Sequence, residues 1–208
     1  MTHEPINDVQ GDIAYLKALA EEGRTAPVLV GPVLVAAAVV FGAATIGQWL
    51  ISLGHLPLQG WGIFVMWMVA GLVFAAVLFV LIGRLGIQSG SKTKDNVAID
   101  ASWSACGYTI FGFWMSLMAF GLSTSNWSVM SLMPSVVMVA YGVAWLISAQ
   151  ITKQGWMLLV GLISFAGAVA LGWFAFTHWT YGIYLLLLVT VALLPGLHLM
   201  KLAARARG

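Results

Sequence analysis

The chain has 208 residues, of which 61% are hydrophobic and only 8% are charged, and its formal net charge is +2. Since soluble globular proteins are about 45–50% apolar and roughly 25% charged, this composition excludes a soluble globular fold. Its hydrophobicity also excludes an intrinsically disordered chain. The small positive balance, without a basic cluster, argues against nucleic-acid binding. We therefore expect an integral membrane protein in contact with the lipid bilayer.

The N-terminal segment, residues 1–24, mixes acidic and basic residues and lacks the apolar core of a signal peptide. We expect this segment to be cytoplasmic and the first apolar stretch to act as an uncleaved signal anchor. Asn7 or Asp8 is typical of a helix start and Gly23 of a helix end, which predicts a short amphipathic helix over 8–22. The apolar face of this helix consists of Val9, Ile13, Leu16, Leu19 and Ala20.

The N-terminal helix has two interpretations. In the first, it is an interfacial helix that rests on the inner leaflet or packs beneath the transmembrane helices. In the second, its apolar stripe fills a groove on a cytoplasmic protein partner. The acidic residues among its polar positions argue against strong attraction to anionic lipid.

The distribution of charge predicts six membrane spans. All 16 charged residues fall within 4–24, 84–100, 153 and 201–207, which leaves three long charge-free stretches. One span needs about 20 apolar residues, so each stretch holds two helices and a turn. The sequence therefore predicts an all-α transmembrane domain over 25–201 and a basic cytoplasmic tail over 202–208. The predicted spans are 28–52, 61–83, 102–122, 128–150, 155–176 and 182–201.

The positions of the basic residues predict the orientation. With six spans, all nine Lys and Arg residues lie on the side of the two termini, and the three opposite turns contain none. Because positive residues remain cytoplasmic, we expect both termini inside, in a membrane of the bacterial inner-membrane type. Aromatic residues near the span ends are expected to anchor the interfaces. They include Trp61, Trp127 and Trp179 at the outer turns and Trp103 and Trp156 at the inner boundary.

Small residues spaced four apart predict close packing of the fourth and fifth spans, because they let two backbones approach in lipid. These residues are Ala140, Ala144 and Ser148 on the fourth span and Ser164, Ala168 and Gly172 on the fifth. The alternative is coincidence, since a chain with 23 glycines forms such pairs by chance. Pro134 and Pro195 are expected to kink the fourth and sixth spans.

The sequence contains no recognisable catalytic site. Apart from Lys201 at the last position of the sixth, none of the predicted spans contains Asp, Glu, Lys or Arg, the residues that mark proton relays and ion sites at membrane depth. No hydrolase or metalloprotease motif occurs. Cys106 is the single cysteine and therefore forms neither an intramolecular disulfide nor a multi-cysteine metal site. We expect no catalytic residues, no cofactor and no metal site.

Two histidines are candidates for a pH-responsive or metal-binding site on the outer face. His55 and His178 both lie in outer turns, and histidine changes charge near neutral pH. Two histidines without a carboxylate or thiolate make an incomplete metal site. The alternative is that both are ordinary interfacial histidines.

Polar residues within the spans suggest an alternative function, a pathway for a small uncharged solute in an oligomeric channel. The candidates for its lining are Gln48, Tyr108, Ser116 and Tyr141. The other interpretation is interhelical hydrogen bonding, at roughly 0.6–2 kcal/mol per contact. Residues 140–146 are similar to helices of small-solute channels of the urea-channel and acetate-uptake type, which also have six spans. The Asn-Pro-Ala-Pro motif of the acetate type is missing, so no residue role is carried over.

These observations predict a non-enzymatic multi-pass membrane protein that acts as an accessory, regulatory or sensing subunit. The N-terminal helix would be its docking element. A short inner helix followed by six spans is similar in size and layout to membrane anti-sigma factors, which implies a soluble protein partner. The alternatives are the solute channel, as a homo-oligomer, and a structural subunit of a larger membrane complex.

Overall fold

The computed structural model describes residues 30–85 and 94–205, and within these ranges the chain is helical, with turns between the helices and no strands. Six of the helical segments are long and apolar enough to cross a membrane. The prediction of a multi-pass, all-α membrane protein is therefore confirmed. The predicted helix over 8–22 lies outside the described residues. Its apolar residues Val9, Ile13, Leu16, Leu19 and Ala20 therefore remain a prediction.

The helices follow the predicted order. The α-helices are α1 (Val30–Ser52), α2 (Trp61–Leu85), α3 (Lys94–Thr124), α4 (Met133–Thr152), α5 (Gly155–Trp173), α6 (Trp179–Leu187) and α7 (Leu194–Arg205). A 3₁₀ helix over Trp127–Leu132 precedes α4, and a π-helical segment over Leu188–Leu193 joins α6 to α7. The sixth span therefore consists of α6, the π-helical segment and α7.

Two boundaries differ from the sequence prediction. Helix α3 begins at Lys94 rather than near residue 102, because a charged residue marks the limit of the apolar region without breaking a helix. Pro134 lies in the first turn of α4, where the missing proline N–H is not needed for a hydrogen bond. Pro134 therefore lies where the 3₁₀ helix of the fourth span passes into α4, and it helps to start that α-helix.

The six spans pack as an open row. In space the order is α2, α1, the sixth span, α5, α4 and α3, each packed chiefly against its neighbours in this list. Only 6% of the α2 span and 11% of the α3 span are buried, whereas the other four spans are 33–44% buried. The two outermost helices of the row are therefore α2 and α3, and the core lies among the other four spans.

Glycines allow the closest approaches between helices in this core. At the crossing of α1 and α7, a Cβ atom on Gly31 would lie 3.0 Å from the carbonyl oxygen of Gly196, and the reciprocal distance is 2.9 Å. Between α4 and α5, a Cβ atom on Gly161 would lie 3.3 Å from the carbonyl oxygen of Gly142. Since real Cβ atoms rarely approach a carbonyl this closely, these crossings depend on the absence of a side chain.

Candidate functional site

The most connected part of the interior is an aromatic cluster that joins four helices. It consists of Trp103 on α3, Tyr141 and Trp145 on α4, Trp156 on α5 and His198 on α7. The ring of Trp145 is fully buried, and its centroid lies 5.2 Å from that of Trp103 and 5.6 Å from that of Trp156. Most of these contacts are edge-to-face, an arrangement that aromatic rings prefer over a face-to-face sandwich.

The cluster continues at both ends through further ring contacts. Trp103 lies 5.6 Å from Tyr141, and Trp156 lies 5.1 Å from the imidazole of His198, both with nearly perpendicular planes. The indole N–H of Trp103 donates to Ser148 Oγ at 3.2 Å, and that hydroxyl donates to the carbonyl of Ala144 at 2.8 Å. Because this N–H is paired inside the protein, it does not need an interfacial water.

The indole N–H of Trp145 makes the central hydrogen bond of the cluster. It donates to the carbonyl oxygen of Val191 at 3.1 Å, across the interface between α4 and the sixth span. Pro195 follows Val191 by four residues and has no N–H, so the usual α-helical donor to this carbonyl is missing. The N–H of Leu194 is engaged with the carbonyl of Val189, five residues earlier. The π-helical turn and Pro195 together leave the Val191 carbonyl available to Trp145.

This hydrogen bond shows what the sequence prediction missed. A proline inside a span indicates that the carbonyl four residues earlier lacks its usual N–H donor. Pro195 therefore identifies the Val191 carbonyl as a group that is free to accept another hydrogen bond. Nothing in the sequence connects that carbonyl to Trp145, which lies 46 residues away. Likewise, Trp103 and Trp156 were expected to anchor the interface, whereas both pack into the aromatic cluster. Trp61 and Trp179, in contrast, are 79% and 59% exposed, as an interfacial position requires.

The chemistry of this cluster is that of a packing junction. Its members offer aromatic surface, hydroxyl groups and one imidazole, and they include no carboxylate, thiol or amine. Over the described residues, no three side chains of the metal-ligating types come together. Cys106 is buried. The cluster therefore has the features of a structural connection between α3, α4, α5 and the sixth span.

The four residues proposed to line a solute pathway lie in separate places. Gln48 is half-buried, and its Oε1 accepts a hydrogen bond from Trp67 Nε1 at 3.1 Å, between α1 and α2. Tyr141 is buried in the aromatic cluster. Tyr108 is 77% exposed and Ser116 is also exposed, both on α3. The structure does not bring these four residues together, and two apolar surface grooves lined by residues of α1, α2 and α7 contain none of them.

The two candidate histidines are both exposed. His55 lies in the turn between α1 and α2, and His178 lies immediately before α6. The ring of His178 lies 5.3 Å from that of Trp179. The structure shows no third ligand beside either histidine within the part of the chain that it describes.

The small residues predicted to pack α4 against α5 are mostly buried. The buried members are Ala140, Ala144, Ser148, Ser164 and Ala168, whereas Gly172 is exposed. Ser148 accepts the hydrogen bond from Trp103 and therefore faces α3. A further close approach of α4 and α5 involves Gly142 and Gly161, which the predicted set does not contain.

The exposed faces of the two outermost helices differ in composition. Away from its buried residues Ile99 and Cys106, α3 carries a stripe of small and polar residues. The exposed residues of this stripe are Ala101, Ala105, Tyr108, Thr109, Gly112, Ser116 and Ala119. Large apolar side chains, among them Phe111, Met115 and Leu122, are exposed beside this stripe. The exposed side chains of α2 are large and apolar and include Val65, Val69, Leu72, Val73 and Phe79. Accordingly, α2 is the most hydrophobic of the six spans and α3 the least.

No protein-family model, curated protein or solved structure matches this chain. Its function is inferred from its own residues.

Proposed function

We propose that the protein is a non-enzymatic accessory subunit that joins a membrane complex through α3. The observation that supports this role is the contrast between the exposed faces of α3 and α2. In this proposal α2 faces lipid, and the outward face of α3, defined by Ala101, Ala105, Tyr108, Thr109, Gly112, Ser116 and Ala119, packs against a transmembrane helix of another protein.

The composition of the outward face of α3 suits a helix partner better than lipid. Small residues let a second backbone approach closely, which raises the van der Waals attraction between helices. Hydroxyl groups such as those of Tyr108 and Ser116 are costly in hydrocarbon unless they find a hydrogen-bond partner. A partner helix would supply both contacts. On α2, by contrast, the exposed valine, leucine and phenylalanine side chains have no polar groups to pair, so contact with the acyl chains of lipid is sufficient for them.

A matched pair of glycine substitutions tests this role. A Cβ atom on Gly112 of α3, or on Gly71 of α2, would meet no heavy atom within 4 Å, so either position accepts a larger side chain within the chain itself. We expect the wild type and Gly71→Leu to co-purify from mild detergent with the same membrane protein in fixed ratio. We expect Gly112→Leu to lose that protein.

Two results would contradict the accessory role. If Gly112→Leu retains the co-purifying protein as fully as Gly71→Leu does, the outward face of α3 is not the contact surface. If the only associated protein is a second copy of this chain, seen as a doubled mass, the function would be that of a homo-oligomer.

We further propose that residues 8–22 form the docking element for a soluble partner, on the cytoplasmic side of a bacterial inner membrane. This proposal rests on the apolar stripe in the sequence and on the Lys and Arg distribution that favours cytoplasmic termini. Deletion of residues 1–24 should abolish capture of a soluble partner while membrane insertion continues. Undiminished capture by the truncated protein would refute the docking role.

A further inference from the structure

An apolar groove lies on the outer surface of the bundle between α1 and α2, with α7 at one end. It has a volume of about 330 Å³, and its walls include Val35, Ala36 and Val39 on α1, Val77 and Leu81 on α2, and Met200 on α7. At about 30 Å³ per water molecule, this is space for roughly eleven waters. Its walls offer no polar group, so in a membrane an apolar chain fills it better than water.

A second apolar groove adjoins the first. It has a volume of about 270 Å³ and is lined by Ala76 and Val80 together with Val77 and Leu81, which belong to both grooves. Val77 and Leu81 therefore form a ridge shared by two adjoining depressions, the second of which is lined by α2 alone. Two neighbouring apolar grooves on either side of one ridge match the two acyl chains of a single phospholipid.

Basic residues lie where both grooves end. Val77, Leu81 and Arg84 are spaced at i, i+4 and i+7 and so share one face of α2, which places Arg84 one turn beyond the ridge. Lys201 directly follows the groove residue Met200 on α7, and both cations are exposed. Helices α1, α2 and α7 contain no Asp or Glu. Among the described residues of the three helices that line the grooves, this end therefore carries only positive charge.

We propose that these two grooves and the basic residues at this end of them bind one anionic phospholipid. Its acyl chains lie on either side of the Val77–Leu81 ridge, and its phosphate group contacts Arg84 and Lys201. Apolar burial supplies general affinity for lipid, and the cations supply preference for an anionic headgroup. A basic residue near a membrane surface contributes about a five-fold preference for anionic over neutral lipid.

Native mass spectrometry of the full-length protein tests the headgroup preference. The purified protein is mixed with equal amounts of phosphatidylglycerol and phosphatidylcholine that have identical acyl chains. We expect the wild type to retain chiefly phosphatidylglycerol, and Arg84→Gln to reduce the ratio of the two bound lipids about five-fold. The control is Lys153→Gln, which removes one positive charge at the turn between α4 and α5, on the same side of the bundle. It should leave the ratio unchanged.

A second matched pair tests the grooves themselves. Val39 and Val69 are similarly exposed, at 58% and 53%, but only Val39 lines a groove. We expect Val39→Phe to fill the groove and lower retention of both lipids, and Val69→Phe to retain them. Reaction of buried Cys106 with a thiol reagent, compared before and after heating, reports whether each variant is folded.

Three results would overturn the lipid site. The first is equal retention of the two lipids by the wild type. The second is an equal effect of Arg84→Gln and Lys153→Gln on their ratio. The third is that Val39→Phe changes the mass of the protein assembly and does not lose lipid. A protein, and not a lipid, would then occupy the groove. None of these results bears on Gly112, so the lipid site and the role of α3 are tested separately.

Discussion

The hydrogen bond from Trp145 to Val191 should be a major contributor to the stability of the bundle. Replacement of Trp145 by phenylalanine keeps an aromatic ring but removes the only N–H of this side chain. The Val191 carbonyl then loses the hydrogen bond from the indole, and Pro195 has no N–H that could replace it. An unsatisfied buried polar group costs about 1–3 kcal/mol. Because the Trp145 ring is fully buried, the smaller ring also leaves a cavity, which adds to the cost.

The expected loss for Trp145→Phe is therefore about 2–4 kcal/mol in the free energy of unfolding. For a chain of this size, each kcal/mol lowers the melting temperature by about 2–4 °C. The lone cysteine provides the assay, since Cys106 is buried and reacts with a thiol-specific fluorophore once the bundle opens. Trp173→Phe is the control, because Trp173 is 85% exposed and its replacement should change stability by less than about 0.5 kcal/mol.

A double-mutant cycle isolates the part played by the proline. Pro195→Ala restores a backbone N–H four residues after Val191. In that background, Trp145→Phe should cost about 1 kcal/mol less than in the wild type, because the new N–H can pair with the carbonyl. Strictly additive effects of the two substitutions would refute the idea that Pro195 makes the Val191 carbonyl depend on Trp145.

Two further predictions concern contacts of α1. Gly196→Ala should destabilise the bundle by about 1–3 kcal/mol from overpacking against the Gly31 carbonyl, less the roughly 0.5–1 kcal/mol of stability gained by removing a helical glycine. The control is Gly112→Ala, which has open space around it and should show only that gain in stability. Equal melting temperatures of the two variants would disprove the tight crossing. Gln48→Leu removes the acceptor for Trp67 Nε1 and should lower stability by roughly 0.6–2 kcal/mol, measured by the same thiol assay. An unchanged melting temperature would mean that the hydrogen bond between Gln48 and Trp67 contributes nothing to the stability of the bundle.

The number and order of the spans were predictable because charged side chains are expensive in hydrocarbon. Arg84, Lys153 and Lys201 are the first charged residues after the three apolar stretches. The structure has two spanning helices in each of these stretches. The helix ends were less predictable. Helix α3 extends to Lys94 because a helix leaves the apolar region without ending there, and charge marks only the limit of the lipid.

The contacts within the bundle were not predictable from spacing alone. The residues Ala140, Ala144 and Ser148 share a helix face, but their periodicity does not say which neighbour that face meets. Ser148 meets Trp103 of α3, whereas Gly142 meets α5. The order of helices in space decides such pairings, and a single sequence contains no direct record of that order.

The open row leaves the two outermost helices with exposed faces of different composition. A closed bundle would hide the polar face of α3 against α2, but these helices lie at opposite ends of the row. Helix α2 is apolar enough to remain in lipid, and its C-terminal end carries the only basic residue of that helix, Arg84. Helix α3 exposes a stripe of small and hydroxyl-bearing residues beside its exposed large apolar side chains. The asymmetry follows from composition alone, and it predicts lipid at one end of the row and protein at the other.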